Sequence, residues 1–254
     1  EAAHQASRIS IAGPAHLITA WEKLIERLNT IASPARDMAK AGLRKVVDYQ
    51  DIAYGAEYLE HLSSWQVQDD EYHGYKLTQT AAKYIANAMC YDDIIRVADM
   101  KTRASRTARL RTEQGLMCED IVEVTEYFHP RGEEICATMP ARLGAWFFDR
   151  PKVFAHLNRF VNRGRRIRTD RLRGYLLLRF LGFLKPYRRA LYRHKKEQGH
   201  LCKLLDIAAR YVEDDYALAI EILKCQRLIK GYSDTHARGR SKFTSVLGAL
   251  DSLK

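Results

Sequence analysis

At 254 residues, with 46% hydrophobic and 29% charged residues, the chain has the composition of a folded globular protein rather than a disordered one. Its 14 Gly and 6 Pro are too few for the frequent tight turns of an all-β chain. The formal charge of +11 is unevenly placed: residues 159–196 hold fourteen Arg and Lys against Asp170 alone, a local net of +13, so the remainder is nearly neutral at −2.

Apolar residues recur at helical spacing from the start of the chain. Leu17, Ile18, Trp21, Leu24, Ile25 and Leu28 mark one face of a first helix. Ser33-Pro34 supplies an N-cap and a first-turn proline for a second, which continues through Leu43, Val46 and Val47. Asp51 caps a third, with Tyr54, Tyr58, Leu59 and Leu62 inward. The polar, acidic residues 66–71 then separate an N-terminal helical subregion, 1–66, from a main helical domain, 67–254.

Residues 75–100 predict one long helix or two abutting ones, with Leu77, Ala81, Tyr84 and Ile85 on one face. Residues 101–114 are basic and thinly apolar, as in a solvated helix end or a connector. Ile121, Val124, Thr125 and Phe128 predict a helix ended by Pro130, and residues 135–148 another through Met139, Leu143, Trp146 and Phe147. Residues 172–184 are apolar nearly all round, which marks a central, buried helix. Three stripes close the chain: Leu201, Leu204, Leu205, Ala208 and Val212; Tyr216, Ile220 and Leu223; Phe243, Val246, Leu247 and Leu250. No strand alternation and no internal repeat are visible. The expected fold class is all-α, a multi-helix, bundle-like domain with no significant sheet.

The chemistry that sequential motifs would carry is missing. There is no GxxxxGK[ST], GxGxxG, GxSxG or HExxH, no thiamine-diphosphate motif, and no cysteine run with iron–sulfur spacing. The nine histidines stand apart from one another and from cysteine at metal-ligand spacing, so no metal site is expected. The five cysteines are scattered without a CxxC, the pattern of reduced thiols, and the expected location is cytoplasmic. The longest apolar run, 176–184, is broken by Arg179 and falls short of the roughly 18 residues a membrane span needs, so no membrane partner is expected. The chain starts at Glu1 rather than Met and reads as beginning within a longer polypeptide.

Two constellations stand out. Seven arginines lie within residues 159–173, just before the apolar helix, and Thr169 or Asp170 is placed to cap that helix. Arg163, Arg165, Arg166, Arg168, Arg171 and Arg173 are the candidate anion- or partner-binding residues, since guanidinium forks and helix N–H groups both favour phosphate or carboxylate. The plainer reading is a solvated basic face, or arginines paired with acidic residues elsewhere. The second constellation is an inter-helix turn with Lys230, Asp234, His236 and Arg238, in which Gly231 closes one helix and Ser233 or Asp234 caps the next. A hydrogen-bonded structural His236 is the simpler account of it. Glu133-Glu134 and Asp92-Asp93 could be paired carboxylates, though charges at helix starts explain both, and His129 reads as a helix end.

Several stretches together resemble the C-terminal helical region of the indolepyruvate:ferredoxin oxidoreductase beta-subunit family, among the 2-oxoacid:ferredoxin oxidoreductases. They are Val47-Asp48-Tyr49-Gln50-Asp51 with Tyr54, then Tyr127-Phe128-His129-Pro130 and Glu133-Glu134-Ile135-Cys136. Gly164-Arg165-Arg166-Ile167-Arg168-Thr169 leading to Leu172-Arg173-Gly174, and Asp215-Tyr216-Ala217-Leu218-Ala219, add to them. The most specific is the run from Cys225-Gln226-Arg227-Leu228 through Gly231-Tyr232-Ser233-Asp234-Thr235-His236 to Gly239. The resemblance covers roughly residues 41–247.

It implies oxidative decarboxylation of an arylpyruvate to an acyl-CoA, using thiamine diphosphate, CoA and iron–sulfur clusters, with ferredoxin as electron acceptor. It also implies a catalytic partner subunit and an upstream α/β domain. No catalytic residue is assigned in the family's helical region, and this chain carries no cofactor motif, so the segment alone is read as non-catalytic. The alternative is an all-α nucleic-acid-binding module using the same basic segment, which no recognised binding motif supports. A third reading, a free-standing enzyme, requires Lys230, Asp234, His236 and Arg238 to converge on a pocket.

Overall fold

In the computed structural model the described residues are 13–249, except 118, 121, 129, 130, 163, 230 and 232; the side chains of Arg165, Ser233 and Asp234 are also outside the description. Chain contacts divide the protein into two units, Glu1–Asn87 and Ala88–Lys254.

The first unit is built from α1 (Ala15–Leu28), α2 (Ser33–Tyr49), α3 (Ile52–Gln66) and most of α4 (Lys76–Met89). Asp51 caps α3 as its residue type predicts, accepting the Tyr54 N–H at 2.8 Å. The expected Ser33 cap of α2 is replaced by a longer-range device. Ala32 holds the N-cap position without a side-chain bond, Ser33 and Pro34 enter the first turn, and the Ala32 N–H donates to Gln66 Oε1 at the end of α3 (2.7 Å).

The unit extends past the boundary expected at residue 66. Asp69 Oδ2 accepts both the backbone N–H and the hydroxyl of Thr78, each at 2.7 Å, so the acidic loop pins the start of α4 instead of separating domains. Tyr58, fully buried on α3, donates to the Ala82 carbonyl of α4 at 2.9 Å. Gly42 of α2 faces that bond, and a Cβ there would collide with the tyrosine hydroxyl and ring. A glycine is therefore needed where three helices meet.

In the second unit the chain runs α5 (Ile94–Thr102), α6 (Ala104–Glu113), β1 (Thr125–Phe128), α7 (Gly132–Ala137), α8 (Ala141–Phe148), α9 (Pro151–Val161), β2 (Arg165–Arg168) and α10 (Leu172–Phe183). A 3-10 helix (Lys185–Ala190), α11 (Tyr192–Ala209), α12 (Tyr216–Lys224), a second 3-10 turn (Cys225–Leu228) and α13 (Ser233–Gly248) complete it. The expected all-α class holds, with one two-stranded exception. Residues 125–128, expected as helix, form β1 and pair antiparallel with β2. Four residues are too few to show alternation against the helical background, and Thr and Tyr suit a strand. The segment expected as one helix over 135–148 is split by Pro140, which cannot donate inside a helix and precedes the first residue of α8.

Two polar knots hold the unit. Asp93 caps α5 through the Arg96 N–H (2.6 Å) and accepts Arg188 Nε at 2.8 Å and Nη2 at 3.3 Å. Arg188 is only 1% exposed, so both charges rely on each other. On α11, Glu197 meets Arg193 Nε at 2.9 Å and His236 of α13 at 3.3 Å. Burial would raise the Glu197 carboxyl, but the His236 bond with the Arg193 and Arg240 charges outweighs it and holds the group down at about 2.

The expectation of a central, buried helix over 172–184 is overturned. Among the α10 side chains Leu178 is fully buried, while Leu172, Leu176, Leu177, Phe180 and Phe183 are exposed. The apolar all-round composition is real; the layer that would cover half of it does not come from the described residues.

A basic ribbon-and-helix surface as candidate functional site

The β1–β2 register pairs Thr125 with Arg168, Glu126 with Ile167, Tyr127 with Arg166, and Phe128 with Arg165. Alternation along a strand then sorts the side chains onto two faces. On the inner face Glu126 is buried and gripped from two helices, by Lys101 Nζ at 2.6 Å and Arg106 Nη2 at 2.5 Å. This fixes the ribbon to α5 and α6. On the outer face Tyr127 is 71% exposed, and the Arg166 guanidinium lies 5.5 Å from its ring centroid.

The strand leads directly into α10. The Thr169 N–H and hydroxyl both bond the Val124 carbonyl, at 2.9 and 3.3 Å, and Arg171 takes the N-cap position with no side-chain cap. The capping role expected of Thr169 or Asp170 is thus not the one they play. Asp170 instead binds Arg168, with Nη2 to Oδ2 at 2.6 Å, and Glu123 meets the same guanidinium. Those bonds keep the Asp170 carboxyl below its ordinary value and raise Arg168 above its own. Gly174 sits so close to the Arg168 carbonyl that a Cβ would overlap it, which locks the first turn of α10 onto the end of β2.

The six candidate arginines therefore part company. Arg163 lies outside the described residues, and Arg165 contributes its backbone to β2, its side chain being undescribed. Arg168 is neutralised locally, as the plainer reading expected of such arginines. Arg166, Arg171 and Arg173 are exposed, and none of the three has an acidic partner among the described residues. They flank one junction where strand turns into helix.

Charge density alone missed three things here. Glu123 quenches Arg168 of the segment, Tyr127 joins it from 38 residues upstream of Arg165, and the apolar face of α10 continues it. Tyr127 was detectable only as a match in the resemblance, because its strand partner is remote in sequence. Behind the ribbon is a cavity of about 150 Å³ lined by Lys101, Arg106, Arg111, Val124, Thr169 and Tyr175 among others. Its Lys101 and Arg106 are already committed to Glu126.

Of the second constellation, His236 and Arg238 lie wholly within the described residues. Lys230 is outside the described residues, as is the Asp234 side chain. His236 is buried against Glu197, while Arg238, two residues on and so on the opposite side of α13, is exposed. Gly231 does adopt φ +69°, the left-handed conformation its turn role requires. Gly239 packs where a Cβ would strike the Leu228 carbonyl, and Gln226 is buried. The motif most specific to the resemblance is, at these positions, packing of α13 on α11 and the preceding 3-10 turn. Glu133 and Glu134 occupy the first turn of α7 and Asp93 the N-cap of α5, the helix-start roles that explain both acidic pairs.

The fold is predominantly helical, with one two-stranded ribbon and a basic surface where that ribbon meets α10. The chain belongs to the family of unknown function DUF6537, whose model matches residues 35–249. No curated protein and no solved structure matches it. Among the described residues no helix is long and apolar enough to cross a membrane. No group of three or more His, Cys, Asp or Glu among them could hold a metal ion, and Cys90, Cys136, Cys202 and Cys225 are not joined in disulfides.

Proposed function

We propose that the chain is an accessory helical region of an indolepyruvate (arylpyruvate):ferredoxin oxidoreductase beta subunit, whose basic segment docks an anionic partner. The partner would be the catalytic subunit, the electron carrier ferredoxin, or a phosphate-bearing ligand such as CoA. One observation carries the docking role: Arg166, Arg171 and Arg173 stand exposed, without acidic partners among the described residues, at the junction of β2 and α10. The oxidoreductase assignment rests on the sequence resemblance, whose Gly164–Gly174 stretch overlaps that junction.

In this reading the chemistry belongs to the rest of the assembly. No electron step is assigned to this chain in this reading. Its contribution is electrostatic: guanidinium forks match carboxylate and phosphate geometry, speed encounter and lose strength with salt. The test uses the full-length polypeptide purified with its partner subunit. CoA-dependent reduction of ferredoxin by indolepyruvate is expected, and Arg166→Ala/Arg171→Ala/Arg173→Ala should weaken assembly, CoA affinity or carrier use. The docking role fails if none of the three changes, and the assignment fails if the assembly does not oxidise any arylpyruvate.

A second reading draws on Tyr127, whose exposed ring beside Arg166 is the pairing a single-stranded nucleic acid would stack on. It predicts retention of a labelled oligonucleotide at low salt that falls steeply as salt rises. An unshifted oligonucleotide at 50 mM salt disposes of it.

A further inference from the structure

The outer face of α10 is apolar in its own right. At 100° per residue, the packed direction is set by Leu178, which is fully buried, and by Gly182, whose position lies against Asp99 of α5. Leu172, Leu176, Phe180 and Phe183 fall on the opposite side, 71%, 53%, 62% and 62% exposed. Tyr187, in the following 3-10 helix, is exposed too. A helix apolar on two opposite faces is one meant to lie between two layers, and α5 supplies only one of them.

Arg173 and Arg179 border this stripe on its two sides, and the Arg179 guanidinium sits 4.8 Å from the Phe183 ring centroid. Neither arginine has an acidic partner among the described residues. The occupant must therefore be apolar in the middle and negative at its edges. A second copy of the chain would set these arginines against their own equivalents. An anionic lipid surface would be served equally by lysine, yet residues 159–189 carry ten arginines and one lysine, Lys185. The planar fork is the choice for carboxylates in a protein surface.

We infer that the outer face of α10 is a protein-docking helix: Leu172, Leu176, Phe180 and Phe183 seat in an apolar groove of an acidic folded surface, whose carboxylates pair with Arg173 and Arg179. This deepens the docking role proposed above by making the partner a protein and the anchor apolar. It rests on that docking role and not on the oxidoreductase assignment. Central apolar anchors with a charged rim are the usual anatomy of such interfaces.

The experiment is site-specific photo-crosslinking in the natural full-length polypeptide, with Phe180→p-benzoylphenylalanine as probe and Val67→p-benzoylphenylalanine as control. Val67, in the first unit, is 86% exposed. The expected result is a crosslink from position 180 to one protein surface whose attached peptide carries Asp or Glu. The yield should be at least about tenfold above that at position 67, and should fall back to it with Arg173→Glu/Arg179→Glu. Because these side chains are exposed, an unchanged melting temperature should accompany the loss. A crosslink to α10 of another copy overturns the inference. So does co-sedimentation with vesicles of 70% phosphatidylcholine and 30% phosphatidylserine in place of a protein crosslink, or equal yields at 180 and 67. A crosslink to an acidic, apolar surface in an assembly that oxidises no arylpyruvate upholds the docking helix and refutes the oxidoreductase assignment.

Discussion

Arg188 heads the largest side chains that are essentially without exposure, and its role can be measured against its partner. Removing it by Arg188→Met leaves Asp93 uncompensated and should cost about 3–5 kcal/mol in denaturant unfolding. In an Asp93→Asn background the same change should cost far less, because the charge it answers is gone. Equal costs in both backgrounds would mean the pair is not coupled. Tyr58 and Gly42 make a second residue-scale case. Tyr58→Phe loses one buried hydrogen bond, about 1 kcal/mol, whereas Gly42→Ala forces a methyl into the tyrosine ring and should cost about 1–3 kcal/mol. The reverse order would contradict the packing at this junction.

The acid response is also set by single residues. His194 is held down to about 4 by burial, with the Arg189 and Arg188 charges adding to it. A depressed histidine stays neutral in the fold while the unfolded chain takes up its proton, so stability should fall as pH drops from 6.5 towards 4. Glu197, at about 2, is the opposite chemical type with the same sign: its ionised form is favoured by the fold, and its contribution is lost below about pH 4.5. Melting temperature against pH should therefore decline in two stages, and His194→Phe should shrink the first, which His61 and His200, also held down by burial, share. A flat profile between pH 6.5 and 4 would contradict this. Neither residue was visible as important in the sequence. A histidine and a glutamate on a basic stretch look like surface, and only the return of α13 and of the residue 93 loop buries them.

Helices were legible wherever one stripe of apolar residues faced one core. Asp51 and α3, Leu43 and Val46 in α2, and Ile220 and Leu223 in α12 are such cases, because periodicity and burial agree there. The β1–β2 ribbon was not legible, since its pairing joins residues about forty apart and its four-residue strands carry no period of their own. α10 was misplaced for a different reason. Its composition reports how much apolar surface it must eventually bury, not which element of this chain does the burying. The element-scale prediction concerns the hinge between them: Gly174→Ala should push α10 off the Arg168 carbonyl and cost about 1–3 kcal/mol. A fully tolerated alanine, read by guanidinium unfolding, would show that this close approach is not a fixed feature.

At the scale of the molecule, the clustering of charge was plain in the sequence, while its division was not. Arg168 is spent on Asp170 and Glu123, Arg188 on Asp93 and Arg193 on Glu197, so the net charge of the segment overstates what it offers a partner. What is left includes Arg166, Arg171 and Arg173 beside the exposed apolar face of α10, and Arg179 along it. Around His236, the described His236, Gln226 and Gly239 serve the packing of α13. In the proposed function the chain holds a partner, and its family membership sets no reaction on its own.

The most direct measurement of that claim is the salt dependence of docking in the purified full-length assembly, for wild type and for Arg166→Ala/Arg171→Ala/Arg173→Ala. Association of the wild type should slow about tenfold or more as ionic strength rises from 20 to 500 mM, while the triple variant starts slow and loses much less. Superimposable salt profiles for the two proteins would contradict the account.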